Sequence, residues 1–395
     1  MKSASSRNPL APYSYLCLLA AAIVLSQAAA QAQTFTLLHT FTGAADDGDY
    51  PQAAPVRDSK GNLYGVALGG FFGQGVVFRV SSTGQETVLY SFKGYPDDGE
   101  VPDSISLSDS SGKLFGTTYE GGATPYGTVF NLDAQGSETV VYSFCPNIPC
   151  TTGAFPIGVI QDGNDVFYGT TISGGDFSCA LTGCGTVFAI NRKGVQTVLH
   201  AFEGAGDGSM PNARLVRGEW GDLYGATAYG GAYGYGTVFK VAATGQESVI
   251  HSFDGVADGS EPYGGLYRDA EGNFYGTTSQ GGEYGYGTVF KITPWREYAV
   301  LHSFKGGAYG AYPYADVITD EQGNIFGTTY QGGSHNYGTV FEIDVSGDLR
   351  VLHSFSGKED GAYPYGVIGD ANGTLYGTTY QGGAYNQGTV FELVP

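Results

Sequence analysis

Residues 272–292 read GNFYGTTSQGGEYGYGTVFKI, and this stretch predicts two short β-strands joined by a glycine-rich loop. Both runs are rich in β-branched and aromatic residues and are bounded by Gly and Asn, as strands usually are. The preceding GGLYRD (264–269) and the following AVLHSF (299–304) have the same character. One unit of the chain therefore contains four strand-like segments.

This unit occurs seven times along the chain. Each copy carries an apolar or aromatic residue, an aromatic residue and a glycine, then a Gly-Gly pair and a G-(T/V)-V-F block. The first glycines of the copies lie 50 to 56 residues apart, at Gly65, Gly116, Gly169, Gly225, Gly276, Gly327 and Gly377. Self-similarity at such a period indicates a solenoid or a propeller. Beyond residue 32 no segment has a sustained 3.6-residue apolar period, so we expect essentially no helix.

The strands carry apolar side chains on both faces. Val289 lies on one face of the segment 288–292, whereas Phe290 and Ile292 lie on the other. A sheet of this kind must be covered on both sides, and radially stacked blades cover it. The sequence therefore predicts an all-β protein: one seven-bladed β-propeller of four-stranded antiparallel blades, spanning residues 33–395. A parallel β-helix is the alternative, but its coils are usually shorter and it needs no closing device.

The two ends of the repeat region complement each other. Residues 37–41 (LLHTF) resemble the fourth strand of a unit, whereas GTVFEL (388–393), a third strand, is the last such segment. The chain has seven segments of the fourth-strand type and seven sets of strands one to three. Every set has a fourth strand only if the N-terminal segment pairs with the last set. We therefore expect an N-terminal strand at about 34–41 to pair with the last three strands and close the ring.

Residues 1–32 have the features of a secretory signal peptide. Lys2 and Arg7 precede an apolar run at 16–26, and Ala30-Gln31-Ala32 provides a small-x-small cleavage site. The apolar run is shorter than the roughly 20 residues that span a bilayer. We expect a secreted protein, extracellular or periplasmic, with no membrane span after the signal is removed.

The charge of the chain restricts its partners. The signal region carries two of the 18 basic residues and none of the 38 acidic ones, so the mature net charge is −22. Such a charge opposes binding to nucleic acid and to anionic membranes, and it favours solubility or cation binding. We expect a monomer without nucleic-acid partners.

An antiparallel propeller has two loop faces with different sequences here. The hairpin face carries the turns between strands one and two and between strands three and four, such as residues 269–273. These turns begin with Asp and contain Gly, which is typical of structural hairpins. The Asp residues are Asp58, Asp109, Asp162, Asp269, Asp320 and Asp370.

The long-loop face carries the blade-to-blade loops, such as residues 254–262, and the loops between strands two and three, such as residues 230–236. An Asp-Gly-x-x-Pro motif recurs there at Asp47, Asp98, Asp207, Asp258 and Asp360. The neighbouring loops add Tyr233, Tyr284 and His335. We predict these side chains as candidate ligand-binding residues for a sugar, a peptide or a cation such as calcium. Local turn geometry is the alternative explanation, and no other cofactor is expected.

Five histidines share one repeat position. They are His39, His200, His251, His302 and His353, and Tyr90 and Tyr142 replace them in two units. Tyrosine would not substitute for a metal ligand or a general base, so the position indicates packing. No nucleotide-binding, zinc-protease, nucleophile-elbow or calcium-loop motif is present. We predict no catalytic and no metal residue.

Four cysteines lie in insertions of the third unit, at Cys145, Cys150, Cys179 and Cys184. An even number of cysteines in an exported protein predicts disulfides, and three pairings are compatible with four cysteines. Cys145–Cys150 together with Cys179–Cys184 is the simplest pairing. A zinc site is the alternative.

The unit 272–292, together with the preceding HSF segment, resembles the GloVer tandem repeat of bacterial "choice-of-anchor" secreted proteins. Its period and Gly-Gly pair are more distantly similar to kelch propellers, although the kelch tryptophan is missing. The resemblance implies export and an extracellular or cell-surface location, and it transfers no catalytic residue. We expect a binding or scaffold module for a carbohydrate, a peptide or a cell-surface partner. The alternative is a polysaccharide hydrolase or lyase with its site on the long-loop face.

Overall fold

A computed structural model describes residues 33–108, 112–177 and 181–395. It contains seven antiparallel sheets; six of them pair strands that follow one another in the chain, and the seventh adds the first strand to the last three. The predicted seven-bladed propeller is therefore confirmed. Among the described residues the only helical elements are two 3₁₀ turns, Glu219–Gly221 and Gly307–Tyr309. No described helix is long and apolar enough to cross a membrane. The predicted signal peptide lies outside the described residues.

The strands are numbered in chain order. The first, β1 (Thr34–Thr40), belongs to blade 7. Blade 1 contains β2 (Asp49–Pro51), β3 (Val56–Arg57), β4 (Leu63–Leu68), β5 (Val76–Val80) and β6 (Glu86–Ser91). Blade 2 contains β7 (Gly99–Leu107), β8 (Leu114–Gly121), β9 (Thr128–Leu132) and β10 (Glu138–Ser143). Blade 3 contains β11 (Ala154–Gln161), β12 (Phe167–Ser173), β13 (Thr186–Ile190) and β14 (Gln196–Ala201).

The remaining blades follow the same plan. Blade 4 contains β15 (Val216–Arg217), β16 (Leu223–Thr227), β17 (Thr237–Val241) and β18 (Glu247–Ser252). Blade 5 contains β19 (Tyr267–Arg268), β20 (Phe274–Thr278), β21 (Thr288–Ile292) and β22 (Tyr298–Ser303). Blade 6 contains β23 (Ile318–Thr319), β24 (Ile325–Thr329), β25 (Thr339–Ile343) and β26 (Leu349–Ser354). Blade 7 contains β27 (Ala362–Gly369), β28 (Leu375–Gln381) and β29 (Thr389–Val394) besides β1.

The ring is closed within blade 7. Strand β1 pairs antiparallel with β29, from Thr34 opposite Val394 to Thr40 opposite Thr389. The ring of Phe35 stacks on that of His353 in blade 6, with the centroids 4.0 Å apart. The predicted N-terminal closing strand is thus confirmed.

Phenylalanine pairs join every blade to the next. The V-F phenylalanine of each third strand is buried beneath the glycine of the second strand; a Cβ at Gly65 would lie 2.3 Å from Cζ of Phe78. A second phenylalanine, at the end of the preceding blade's outer strand, meets it edge to face with centroids 4.9 to 5.4 Å apart. The seven pairs are Phe41–Phe78, Phe92–Phe130, Phe144–Phe188, Phe202–Phe239, Phe253–Phe290, Phe304–Phe341 and Phe355–Phe391.

The motif proline forms a second contact between blades. It packs on the glycine that precedes the third strand of the neighbouring blade; a Cβ at Gly388 would lie 2.5 Å from Cδ of Pro51. The residue before each proline has a positive φ of 47° to 59° and donates its N–H to a carbonyl of that neighbouring blade at 2.7 to 3.0 Å. These residues are Tyr50, Val101, Phe155, Met210, Glu261, Tyr312 and Tyr363.

The inner strands of blades 4 to 6 are shorter than predicted. The expected strand 264–269 is reduced to the two residues of β19. Pro262 has no N–H to donate, and the N–H of Gly265 donates to the carboxylate of Asp316 in the next blade instead of to its own sheet. The other three predicted strands of this unit agree with β20, β21 and β22.

Deleting residues 33–43 should destabilise the propeller strongly, because it removes β1 and the fully buried Phe41. Loss of one buried phenylalanine alone costs about 3–5 kcal/mol, so the deletion should exceed that value in the free energy of unfolding measured with urea. Val345→Ser, in an exposed turn, is the control and should be neutral. A deleted protein as stable as the full chain would contradict closure by β1.

Candidate functional site

The aspartates of the Asp-Gly-x-x-Pro motif are engaged within the fold. Asp47 accepts a hydrogen bond from Nε2 of His39 at 3.2 Å and from the N–H of Thr42 at 2.9 Å. Asp98 accepts from the hydroxyl of Tyr90 at 2.7 Å in the same way. The corresponding histidine pairs are His200–Asp207 (2.9 Å), His251–Asp258 (2.8 Å) and His353–Asp360 (3.0 Å). Each carboxylate therefore ties an outer strand to the blade-to-blade loop, and its role in ligand binding stays a prediction.

The two units without this aspartate show what the pair contributes. In blade 2 the hydroxyl of Tyr142 donates to Oε1 of Gln196, 3.0 Å away, because Thr152 occupies the Asp position. In blade 5 Tyr309 occupies that position, and Nε2 of His302 is buried without a hydrogen-bond partner among the described residues. The side chain at the shared His/Tyr position thus forms a hydrogen bond with the Asp of the motif. The sequence alone did not indicate this pairing.

A glutamate from the neighbouring outer strand approaches three of these pairs. In the first, the ligand atoms of His39, Asp47 and Glu86 all lie within 4.8 Å of one another. One nitrogen and two carboxylates are far fewer than the six to eight oxygen ligands that calcium takes. The cation prediction therefore stays a prediction.

Burial dominates the protonation of these glutamates. Loss of solvent, and then the charge of Asp47, raises the pKa of Glu86 to about 7, and burial likewise raises that of Glu138 to about 7. Burial also acts to raise the pKa of Asp47, but the hydrogen bonds from His39, Gly48 and Thr42 outweigh it and lower that pKa. One oxygen of each glutamate, Glu86, Glu138 and Glu247, is buried without a hydrogen bond.

The other predicted site residues lie on separate loops. Tyr233 and Tyr284 are exposed between strands two and three of blades 4 and 5, and Nζ of Lys305 lies 5.5 Å from the ring centre of Tyr284. His335 is exposed on the equivalent loop of blade 6. None of the three is among the described residues that line the central channel, and their role in ligand binding stays a prediction.

A disulfide joins Cys145 to Cys150, as predicted. Cys184 is buried and also disulfide-bonded. Cys179 lies outside the described residues, so the second predicted pairing stays a prediction.

The central channel contains a cavity of 680 Å³. All seven inner strands or the segments before them contribute to its wall. The position after the motif proline faces it; this position is tyrosine in blades 5 to 7 and a different residue in each of the other four blades: Gln52, Asp103, Ile157, Asn212, Tyr263, Tyr314 and Tyr365. The repeat is therefore least regular where it faces the axis.

Tyrosines form an arc along blades 4 to 7. The hydroxyls of Tyr229 and Tyr263 are 2.7 Å apart, and the ring of Tyr263 lies 5.6 Å from that of Tyr314. Tyr314 in turn meets Tyr330 edge to face at 5.4 Å. Burial, and then the neighbouring tyrosines, raise the pKa of Tyr365 to about 12. The phenol of Tyr365 is therefore neutral at physiological pH and can donate a hydrogen bond.

Blades 2 and 4 contribute polar groups to the channel wall. Asp103 is only partly buried, yet protein surrounds it in the channel, and this loss of bulk water raises the pKa of its carboxyl to about 7. Among the described residues no group donates a hydrogen bond to Asp103, and none forms an ion pair with the exposed guanidinium of Arg214. Asn212 lies beside them. The channel thus combines aromatic surface with uncommitted polar groups.

Recurring residues do not identify this site. The sequence signal for this site is variation: the position after the proline is variable within an otherwise regular repeat. Aligning the seven units and marking the positions that differ would have identified Asp103, Tyr263, Tyr314 and Tyr365.

Replacing Glu86 with glutamine should change the pH dependence of stability. Between pH 4.5, the ordinary pKa of Glu, and about 7 the folded state holds a proton that the unfolded state releases, so stability falls as pH rises through this range. Glu86→Gln should remove the part of this fall that Glu86 contributes, leaving the part due to Glu138, and should make the protein more stable at pH 8. Gln196 already occupies the equivalent position of blade 3. Urea midpoints from pH 4 to 8 test this, with exposed Glu321→Gln as control; equal slopes would contradict it.

Restoring the missing aspartate in blade 5 should stabilise the protein. In Tyr309→Asp the new carboxylate would stand seven residues after His302, the spacing of three existing pairs. A hydrogen bond involving a charged group adds about 1.5–3 kcal/mol. We expect a higher melting temperature at pH 7 for Tyr309→Asp than for Tyr309→Ala, and no such gain when His302 is alanine.

Solved structures with a similar fold include extracellular domains of bacterial proteins. One belongs to a protein described as a hybrid two-component system of B. thetaiotaomicron (14% identity, TM-score 0.57, covering 92% of this chain and 41% of that one). Another belongs to a one-component system of the same bacterium (8%, 0.53, 88% and 39%). A third is PorZ, a surface component of the type-IX secretion system of Porphyromonas gingivalis (12%, 0.56, 88% and 46%). This chain spans less than half of each, and the likeness concerns the fold.

No curated protein is significantly similar in sequence to this chain. The Gloeobacter/Verrucomicrobia repeat family matches it in overlapping segments, residues 24–225, 146–319 and 211–395. These segments include all seven blades and the channel that they enclose. The chain belongs to the Gloeobacter/Verrucomicrobia repeat family.

Proposed function

We propose that this propeller is a secreted, non-enzymatic binding module that takes a carbohydrate in the mouth of its central channel. The observation that carries the proposal is the two-sided wall of that channel. Tyrosines line it on blades 5 to 7, and free polar groups line it on blades 2 and 4.

The chemistry of the two sides suits a polyhydroxylated ligand. Aromatic rings such as that of Tyr314, which is 36% exposed, can stack on the C–H faces of a sugar ring. Asp103, Asn212 and Arg214 offer acceptors and donors for its hydroxyls. A pocket of 680 Å³ is within the usual size for small-ligand sites.

An extracellular location supports this function. The similar solved structures named above include extracellular domains and a bacterial surface component. Residues 1–32 have the features of a signal peptide, and the strongly acidic chain repels anionic surfaces. A secreted module of this kind would meet polysaccharides rather than nucleic acids.

Binding should depend on both sides of the channel. Tyr314→Ala and Asp103→Asn should each weaken the binding of an oligosaccharide identified by array screening about tenfold, which corresponds to about 1.4 kcal/mol. Calorimetry on the mature protein measures this loss. Tyr233→Ala, on an outer loop, is the matched control and should bind normally. Full affinity in both channel variants would contradict the proposed site.

A second candidate function is the cleavage of polysaccharide by a hydrolase or a lyase reaction. Asp103 favours it, because a carboxyl whose pKa is raised to about 7 can donate a proton near neutral pH, and Asp316 supplies another carboxyl in the same cavity. The two candidates differ in one readout. Release of new reducing ends that Asp103→Asn abolishes would establish the enzyme, whereas binding without any product would support the module.

A further inference from the structure

The two tryptophans of the chain border one cleft on the hairpin face. Trp220 lies in the turn between β15 and β16 of blade 4, and Trp295 lies in the turn between β21 and β22 of blade 5. They are 89% and 84% exposed. Both line a cleft of 400 Å³, which is separate from the central channel. Exposed large apolar side chains that share one cleft, unlike those scattered singly, are typical of ligand-binding grooves.

Both turns depart from the repeat. Most blades have Asp at the start of the first hairpin, whereas blade 4 has Gly218 there and adds Trp220. Other second hairpins have glycine where blade 5 has Arg296. Trp220 and Arg296 adopt positive φ values of 62° and 65°, which are unfavourable for residues with large side chains. Two turns with a strained backbone, in adjacent blades, therefore depart from the repeat and border the same cleft. Folding alone does not require either departure.

The cleft has an apolar floor and balanced charges. The rings of Tyr224 and Phe274 form part of the floor, with centroids 4.3 Å apart. Two ion pairs line the walls: Lys240 with Asp222, and Arg268 with Glu219. Glu271 and Arg296 complete a set of three acidic and three basic side chains. The site thus carries no net charge in a strongly acidic protein.

We propose that this cleft is a binding site for a neutral polysaccharide chain, distinct from the channel site. Indole faces stack on the C–H faces of pyranose rings, and carboxylate and guanidinium groups at the walls bond hydroxyls. The absence of net charge in the cleft favours an uncharged ligand over an anionic one. The open position between two hairpins admits the middle of a long chain as well as its end.

Intrinsic fluorescence provides a selective test, because both tryptophans of the chain lie at this cleft and the channel contains none. The mature protein is titrated with dextran, galactomannan and mixed-linkage β-glucan, with polygalacturonate as the anionic comparison. At least one neutral polymer should shift the tryptophan emission and retard the protein in an affinity gel. Trp220→Ala and Trp295→Ala should each reduce the retardation about tenfold.

Two further variants separate binding from folding and from the channel. Trp220→Gly relieves the positive φ, so it should melt at the same or a higher temperature while losing binding. Tyr314→Ala, in the channel, should leave both the emission shift and the retardation unchanged. No binding of any neutral polymer, or undiminished binding by the double tryptophan variant, would overturn the proposal. Retardation lost only in Tyr314→Ala would assign the polymer to the channel, which supports the proposed function and refutes this second site.

Discussion

The contact between neighbouring blades is the constraint on which the rest of this structure depends. At each interface an outer-strand phenylalanine meets a third-strand phenylalanine edge to face, and the motif proline packs on a glycine. Aromatic pairs of this geometry contribute about 0.5–1.5 kcal/mol beyond the area they bury. The residue before each proline adopts a conformation that costs on the order of 1–3 kcal/mol, so the interface must offset this strain seven times.

The same interface explains the buried polar groups. The outer strand ends beside the blade-to-blade loop, and a His or Tyr on that strand reaches the Asp of the motif. The carboxylate then accepts backbone N–H groups of the loop and so fixes the conformation of the loop. Where the Asp is missing, as opposite His302, an unpaired buried nitrogen remains. These His–Asp and Tyr–Asp pairs hold the blade-to-blade loops in place, and they recur because most blades need the same contact.

The sequence was sufficient for the architecture, because strand composition and the repeat are local signals. The closing strand β1 followed from counting outer strands, and the structure pairs it with β29. The pairing of His39 with Asp47 was not deduced, since the two residues lie on a strand and in a loop whose approach depends on the adjacent blade. The inner strand of blade 5 was overestimated because Asp316, in blade 6, takes the N–H of Gly265. A contact between two blades depends on the positions of both, so the sequence of either segment alone does not predict it.

In a ring of near-identical blades, recognition must come from positions where the repeat is not obeyed. The interface fixes most residues of each unit and leaves free the position after the proline and the tips of the hairpins. At the first, Tyr263, Tyr314 and Tyr365 on three successive blades face Asp103 and Asn212 on others, so the channel has two unlike sides. Seven identical side chains would give no preferred orientation to an asymmetric ligand. The two unlike sides of the channel can orient an asymmetric ligand. A role in packing alone would not require the two sides to differ.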